Sequence, residues 1–384
     1  MAITDHKRNA VRTSSRQKRR TQQTKAEFFC SEAKAKPKEK DKSETKAEVG
    51  CDTTTLYKNY AQVCESIGIE PYNDLKQIVT ISGEQIIITG SSNEAKLSSG
   101  GCRALMNALS GKLEGATVEP FTSLKDLRIR SSNINDCGAV AVATFLRATV
   151  EVEVKQEVDS TTQPVQPAGK LQFLDLSDNN IGHQGALHLG RSLEVGMNKT
   201  LTSLILDFNA VGSEGASALC KGIATNSSLI VLSLKHCNID TMGGDPISAM
   251  LMFTRLALTT LDLSGNCLGA AGLVDLCKGL ETNTSLTIFR LADNNIRQTD
   301  EDIAALEVFG QVLLKHSKLA EVDFDNNHIG TKGGQLLLPG VRENKQITTF
   351  KISELGMDAE TYKKIFRVAS KGTKGKKKSK KKKK

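Results

Sequence analysis

The chain contains no tryptophan, and aromatic residues make up only 4% of its 384 positions. A core built without bulky rings points to a thin aliphatic ladder repeated along the chain rather than one large globular interior. No stretch of 18 or more apolar residues occurs, and the first residues lack the apolar centre of a signal peptide. A membrane-spanning or secreted chain is therefore not expected. The nine cysteines, at 30, 51, 64, 102, 137, 220, 237, 267 and 277, include no Cys-x-x-Cys pair. That unpatterned, odd set argues against a disulfide framework or a zinc site and fits reduced core thiols in an intracellular protein.

Catalytic signatures are missing as well. There is no Gly-x-x-x-x-Gly-Lys-Ser/Thr phosphate loop, no His-Glu-x-x-His and no Gly-x-Ser-x-Gly. The six histidines fall on different repeats or in the tail, except His183 and His188, which read as loop and helix-surface positions of one repeat. The expectation is a non-enzymatic chain with no cofactor, no metal and no small-molecule substrate.

Charge is present but unevenly placed. Residues 1–50 hold 14 Lys or Arg against 7 Asp or Glu, and Lys371 to Lys384 holds 10 Lys and no acid. With both ends removed from the total of +9, the stretch from Cys51 to Ser370 carries −8. The basic character thus belongs to segments too poor in apolar residues to pack, and residues 1–50 are expected to be disordered.

What is abundant is a phrase. "LQFLDLSDNNIGHQGALHLGRSL" begins at Leu171, and its first leucine recurs at Leu201, Leu229, Leu258, Leu286, Leu319 and Ile347, after an earlier copy at Leu124. The steps from Leu171 are 30, 28, 29, 28, 33 and 28 residues, the period of a leucine-rich-repeat solenoid. Counting from that leucine as phase one, alternating residues such as Leu174 and Leu176 share one face of a short strand. At phase nine Asn179, Asn209, Asn266, Asn294 and Asn327 offer amides to backbone groups that the turn leaves open. Ser132 and Cys237 replace asparagine in copies one and four. Glycines at phases twelve and fifteen, as in Gly182 with Gly185 and Gly212 with Gly215, permit a tight turn and close helix approach. Ala186, Leu189 and Leu193 then recur at helical spacing. The fold class that follows is α/β: a horseshoe-like solenoid, parallel strands on the concave face and helices on the convex face.

Residues 51–82 read as a helical cap, with Leu56, Tyr60, Val63 and Ile67 at helical spacing before Gly68. The solenoid runs from 83 to 369, starting with a degenerate repeat at "EQIIITG", and residues 370–384 form a polylysine tail. Two departures interrupt the period. "TVEVEVKQEVDSTTQPVQPAG" at 149–169 adds about 19 residues to the usual step and reads as a loop with a strand-like start. After Asn294, Thr299 before "DED" predicts a capped, longer helix. The end of the array reads as a strand at Ile347, Phe350 and Ile352, then a closing helix with Tyr362, Ile365, Phe366 and Ala369 turned inward. The sequons at Asn198 and Asn283 sit where Asn-x-x-Leu already has a structural use, so glycosylation is not expected.

The outward strand phases five, seven and eight are the candidate partner-binding positions. They are Arg128, Arg130, Asp175, Asp178, Asp207, Phe208, Lys235, His236, Asp262, Arg290, Asp293, Asp323, Asp325 and Lys351, with Glu354 beside the last. Such banded charge orients a protein partner through complementarity. The lysine tail makes salt-sensitive contacts with a polyanion, either the acidic tails of tubulin, RNA or an anionic surface. It has no aromatic residue with which to read bases. It also reads as a solubility or nuclear signal, as does "KRNAVRTSSRQKRR" near the start.

"LDLSDNNIGHQGALHLGRSL" and "LDLSGNCLGAAGLVDLCKGLETNTSL" resemble the ribonuclease-inhibitor class of leucine-rich repeats over roughly residues 83 to 369. The class includes ribonuclease inhibitors, innate-immune sensors, the GTPase-activating protein of Ran, actin cappers and axonemal proteins. Ribonuclease inhibitors have more regular repeats and more cysteines, and no nucleotide-binding region precedes these repeats as it would in an immune receptor. The Ran activator ends in an acidic stretch and has an arginine in an early loop, where this chain has polylysine and "GSSNEAKLSSGG". In layout the chain is similar to axonemal repeat proteins, including the nexin-dynein regulatory complex subunit. The resemblance implies a cytoplasmic scaffold of the cytoskeleton or cilium, with a Ran-type GTPase regulator or a nucleolar, RNA-associated protein as alternatives.

Overall fold

The computed structural model describes residues 52–81, 83–90, 96–148, 150–155 and 160–368. The expected tails at 1–50 and 370–384 lie outside the described residues.

Two helices come first, α1 (Thr53–Ser66) and α2 (Leu75–Ile81). Asp52 caps α1 by accepting the Thr55 N–H at 2.7 Å. Leu56, Tyr60, Val63 and Cys64 are its buried side, while Ile67, expected on that stripe, is exposed beyond the helix end. The Tyr60 hydroxyl accepts the Tyr72 N–H at 3.0 Å and so ties the connection between the two helices.

A parallel sheet of nine strands follows, in the order β1-β4-β7-β8-β9-β10-β11-β12-β13. The strands are β1 (Gln85–Thr89), β4 (Asp126–Arg130), β7 (Phe173–Asp175), β8 (Ser203–Ile205), β9 (Val231–Ser233), β10 (Thr260–Asp262), β11 (Ile288–Arg290), β12 (Glu321–Phe324) and β13 (Thr349–Ile352). β2 (Lys112–Leu113) and β3 (Ala116–Thr117) make a small separate hairpin. The register aligns phase four from strand to strand: Ile86, Leu127, Leu174, Leu204, Leu232, Leu261, Phe289, Val322 and Phe350. All are buried, and burial of each such side chain contributes roughly 1.5–3 kcal/mol.

The chain returns between strands through helices α3 (Ser98–Leu109), α4 (Asn135–Arg147), α5 (His183–Ser192), α6 (Gly212–Ala224), α7 (Gly244–Leu251), α8 (Gly269–Thr282), α9 (Asp300–Lys315) and α10 (Gly330–Glu343). Gly212 opens α6 at φ 65°, a left-handed conformation. Gly215, one turn later, has a different reason to be small, since a Cβ there would lie 2.8 Å from the Val211 side chain and 3.1 Å from Ala186.

Amides hold the turns. The Asn209 Oδ1 accepts the N–H groups of Asn179 and Ile181 at 3.0 and 2.9 Å, while its Nδ2 donates to the carbonyls of Leu176 and Leu206. Asn266 repeats the pattern on Cys237, Ile239, Leu234 and Leu263, and Asn327 repeats it on Asn294, Ile296, Leu291 and Phe324. Asn179 bridges to Ser132 and Ile129, and Asn294 donates to Leu263 and Ala292. A second row lies three residues before the first leucine of several copies. There Asn198, Asn226 and Asn283 accept the N–H of Leu201, Leu229 and Leu286 at 2.8–2.9 Å. All three are buried.

The structure also differs from expectation in the insertion and at the C-terminal end of the array. The insertion is no irregular loop, because β5 (Val150–Lys155) pairs antiparallel with β6 (Ser160–Val165) as a hairpin. The Val-Glu alternation finds a β-branched, Thr-rich partner segment in its own second half. At the C-terminal end, α11 (Ala359–Ile365) stops at Ile365, and Arg367 instead forms an antiparallel bridge with Phe350. Phe366 is consequently exposed and Tyr362 half-buried, whereas Ile365 packs inward. Ala369 lies outside the described residues. The longer α9 begins at Thr299 in a capping box with Asp302.

Candidate binding face

The sheet face away from the helices is built by odd phases, because side chains alternate along each strand. Phases five and seven bring Arg128, Arg130, Asp175, Asp207, Lys235, Asp262, Arg290, Asp323, Asp325 and Lys351 to this face. Asp178, Phe208, His236 and Asp293 lie at phase eight, on the turns that follow, and are exposed.

Ion pairs organise the face into two charged bands. In the first, Arg130 holds Asp175, with Nε 2.6 Å from Oδ2. In the second, Asp262 lies between the Lys235 Nζ at 3.3 Å and the Arg290 Nη1 at 3.6 Å. The Arg290 Nη2 also reaches Glu321 at 2.8 Å, and Lys351 meets Asp323 at 2.8 Å. The sequence pattern predicts Asp175 and Asp262 to be partner-facing, but they are only 3% and 2% exposed. Neighbouring cations cover them, so these carboxylates position the cations rather than meet a partner themselves.

Between the bands the face is less charged. Ile205, Val231, Ser203 and Thr260 are half-buried there. Asp207 sits at the edge of this strip, where burial holds its carboxyl above the usual carboxylate range. Opposing that shift, the Ser233 hydroxyl donates to it at 2.5 Å and the Lys235 N–H at 3.1 Å. Phe208 and His236 stack with ring centroids 4.7 Å apart.

Phase three supplies residues that the reading of phases five, seven and eight missed. Asp126 takes the Arg128 guanidinium through Nε and Nη2 at 2.9 and 2.7 Å, and the Arg128 guanidinium lies 4.5 Å from the centre of the Phe173 ring. Glu321 is the third. Strict two-residue alternation back from phase five was the signal that finds them. A shallow cavity of about 300 Å³ opens on the turn side, lined by Gly265, Cys267, Asp293, Arg297 and His328 among others. Among the described residues no cluster of three His, Cys, Asp or Glu side chains is placed to hold a metal ion, and no helix is long and apolar enough to cross a membrane.

The Leucine Rich repeat family matches residues 170–190, 198–220 and 258–277. The human NACHT, LRR and PYD domains-containing protein 12 is 34% identical over 38% of this chain and 13% of its own length. The pig ribonuclease inhibitor is 28% identical over 59% of this chain and 44% of its own. The chain thus spans less than half the length of these curated relatives. Among solved structures, an internalin from Listeria monocytogenes covers 84% of this chain and 97% of its own at 14% identity, with a TM-score of 0.33, too loose a likeness to carry an argument. With the repeat phases, the parallel sheet and these matches together, the chain carries leucine-rich repeats similar to those of the ribonuclease inhibitor.

Proposed function

We propose that this protein is a non-catalytic scaffold that binds a protein partner on its sheet face. The observation that carries the reading is the arrangement of that face, in which ion-paired bands flank a less charged strip beside an exposed aromatic pair. Protein interfaces commonly combine an apolar, aromatic centre with a polar surround. Leucine-rich-repeat proteins generally act as protein-interaction scaffolds, and the relative named ribonuclease inhibitor acts on another protein. Ile205→Arg places a charge in the centre of the strip, and Lys278→Glu changes the helix side. Affinity capture from the source cells that is lost with the first and kept with the second supports the reading. Capture that is indifferent to Ile205→Arg removes it.

The lysine tail engages an acidic surface, for which the acidic tails of tubulin in a cilium are the favoured source. The supporting observation is the opposition of ten lysines to a folded region of charge −8. Sedimentation with microtubules at low salt, reversed by salt and lost on truncation before Lys371, is the expected result. Failure to pellet, or RNA binding in its place, replaces tubulin as the target.

A further inference from the structure

In copies one to seven the turn after the strand passes through a left-handed residue at phase eight. Asp178, Gly265, Asp293 and Asn326 are residues suited to it, but Phe208 and His236 adopt it at φ 60° and 49°. Bulky side chains rarely accept that conformation, and where they do the strain tends to serve a site. Core packing gives no reason for it here, because Phe208 is 53% exposed and His236 is exposed beside it.

The two rings form a platform. They stack with an interplanar angle of 18°, and the His236 ring crosses Gly265, where a Cβ would come within 2.2 Å of it. Three successive turns therefore hold one flat surface. The stack runs from turn to turn, so the open face of Phe208 is turned to the preceding repeat. There the exposed Asp178 stands at the same phase, roughly 5 Å along the sheet, with its Oδ2 accepting the Ser131 hydroxyl at 2.7 Å from the repeat before it.

A ring face beside a carboxylate already holds a guanidinium elsewhere on this sheet, where Arg128 lies over Phe173 and pairs with Asp126. At Phe208 the ring and the carboxylate are present, and among the described residues no cation lies over the ring. We infer that Asp178, Phe208 and His236 form a clasp for an arginine side chain of the protein partner. Arginine fits better than lysine because its planar group stacks on a ring while its N–H edge pairs with a carboxylate. The inference rests on the reading of the sheet face as a protein-binding surface and names the partner chemistry at its edge.

The test is selection of a random 12-residue phage peptide library on the full-length protein, followed by affinity measurements on variants. Phe208→Asn places a residue suited to the left-handed turn, so this variant folds at least as well as the parent. Arginine-containing peptides are expected to be enriched. Their affinity should fall about tenfold with Phe208→Asn, fall with Asp178→Asn and with Arg→Lys in the peptide, and return with Phe208→Trp. Peptides selected without arginine, or bound equally by Phe208→Asn, overturn the clasp. If those peptides are still lost with Ile205→Arg, the sheet face stands as a binding surface and only the clasp fails. Peptides indifferent to both substitutions, or no selected peptides at all, overturn both.

Discussion

The Cys237 thiol donates to the Leu206 carbonyl oxygen at 3.2 Å, filling the position from which Asn209 donates to Leu176 one turn earlier. Burial pushes this thiol's pKa up to about 12, so the sulfur keeps the proton it donates. A thiol is nonetheless a weaker partner than an amide. Cys237→Asn is expected to stabilise the protein by about 1 kcal/mol and Cys237→Ala to destabilise it by a similar amount, read by denaturant unfolding.

Asn266 makes four bonds across two turns. Asn266→Ala leaves buried N–H and carbonyl groups unpaired, at a cost of about 2–4 kcal/mol. A loss below about 1 kcal/mol in equilibrium unfolding contradicts the role given to the row.

His316 stands where Asn198, Asn226 and Asn283 stand in other repeats, and its Nδ1 accepts the N–H groups of Lys318 and Leu319 at 3.2 and 3.1 Å. Its Nε2 is buried without a hydrogen-bond partner, and burial lowers the imidazole's pKa from the ordinary 6.5. The folded chain thus binds fewer protons here than the unfolded one. The stability of the neutral form is fully present above about pH 6.5 and is lost as pH falls through the lowered folded value. His316→Asn should flatten that slope in thermal unfolding between neutral and mildly acidic pH, and an unchanged slope assigns it to other groups.

The thiols of the described residues divide into two exposed and five buried. Cys137 and Cys267 are exposed, whereas burial pushes Cys102, Cys220 and Cys277 up to about 12. A maleimide at neutral pH should label Cys137 and Cys267 within minutes and Cys102, Cys220 and Cys277 only on unfolding. Mass spectrometry of the labelled peptides checks this, and early labelling of Cys220 contradicts its burial.

Much of the fold was legible because a repeat states the same physical demand many times. Leu174 or Leu204 alone says little, but one apolar residue at phase four in every copy fixes both strand and register. The binding face was legible in position only. Asp175 and Asp262 are on it, yet their covering by Arg130, Lys235 and Arg290 depends on diagonal neighbours that sequence spacing does not encode. His316 went unnoticed in the second row because an imidazole nitrogen can replace an amide oxygen without resembling it. The ends were hardest to read, since Phe366 follows helical spacing while the bridge to Phe350 takes the chain out of the helix.

The hairpin leaves the pairing of the sheet uninterrupted. Asp126 pairs with Phe173 and Leu127 with Leu174 as though nothing intervened, although the chain between β4 and β7 makes an excursion of its own. That excursion is a natural splice point, where a fluorescent domain added to the hairpin would ride on the array without parting two rungs.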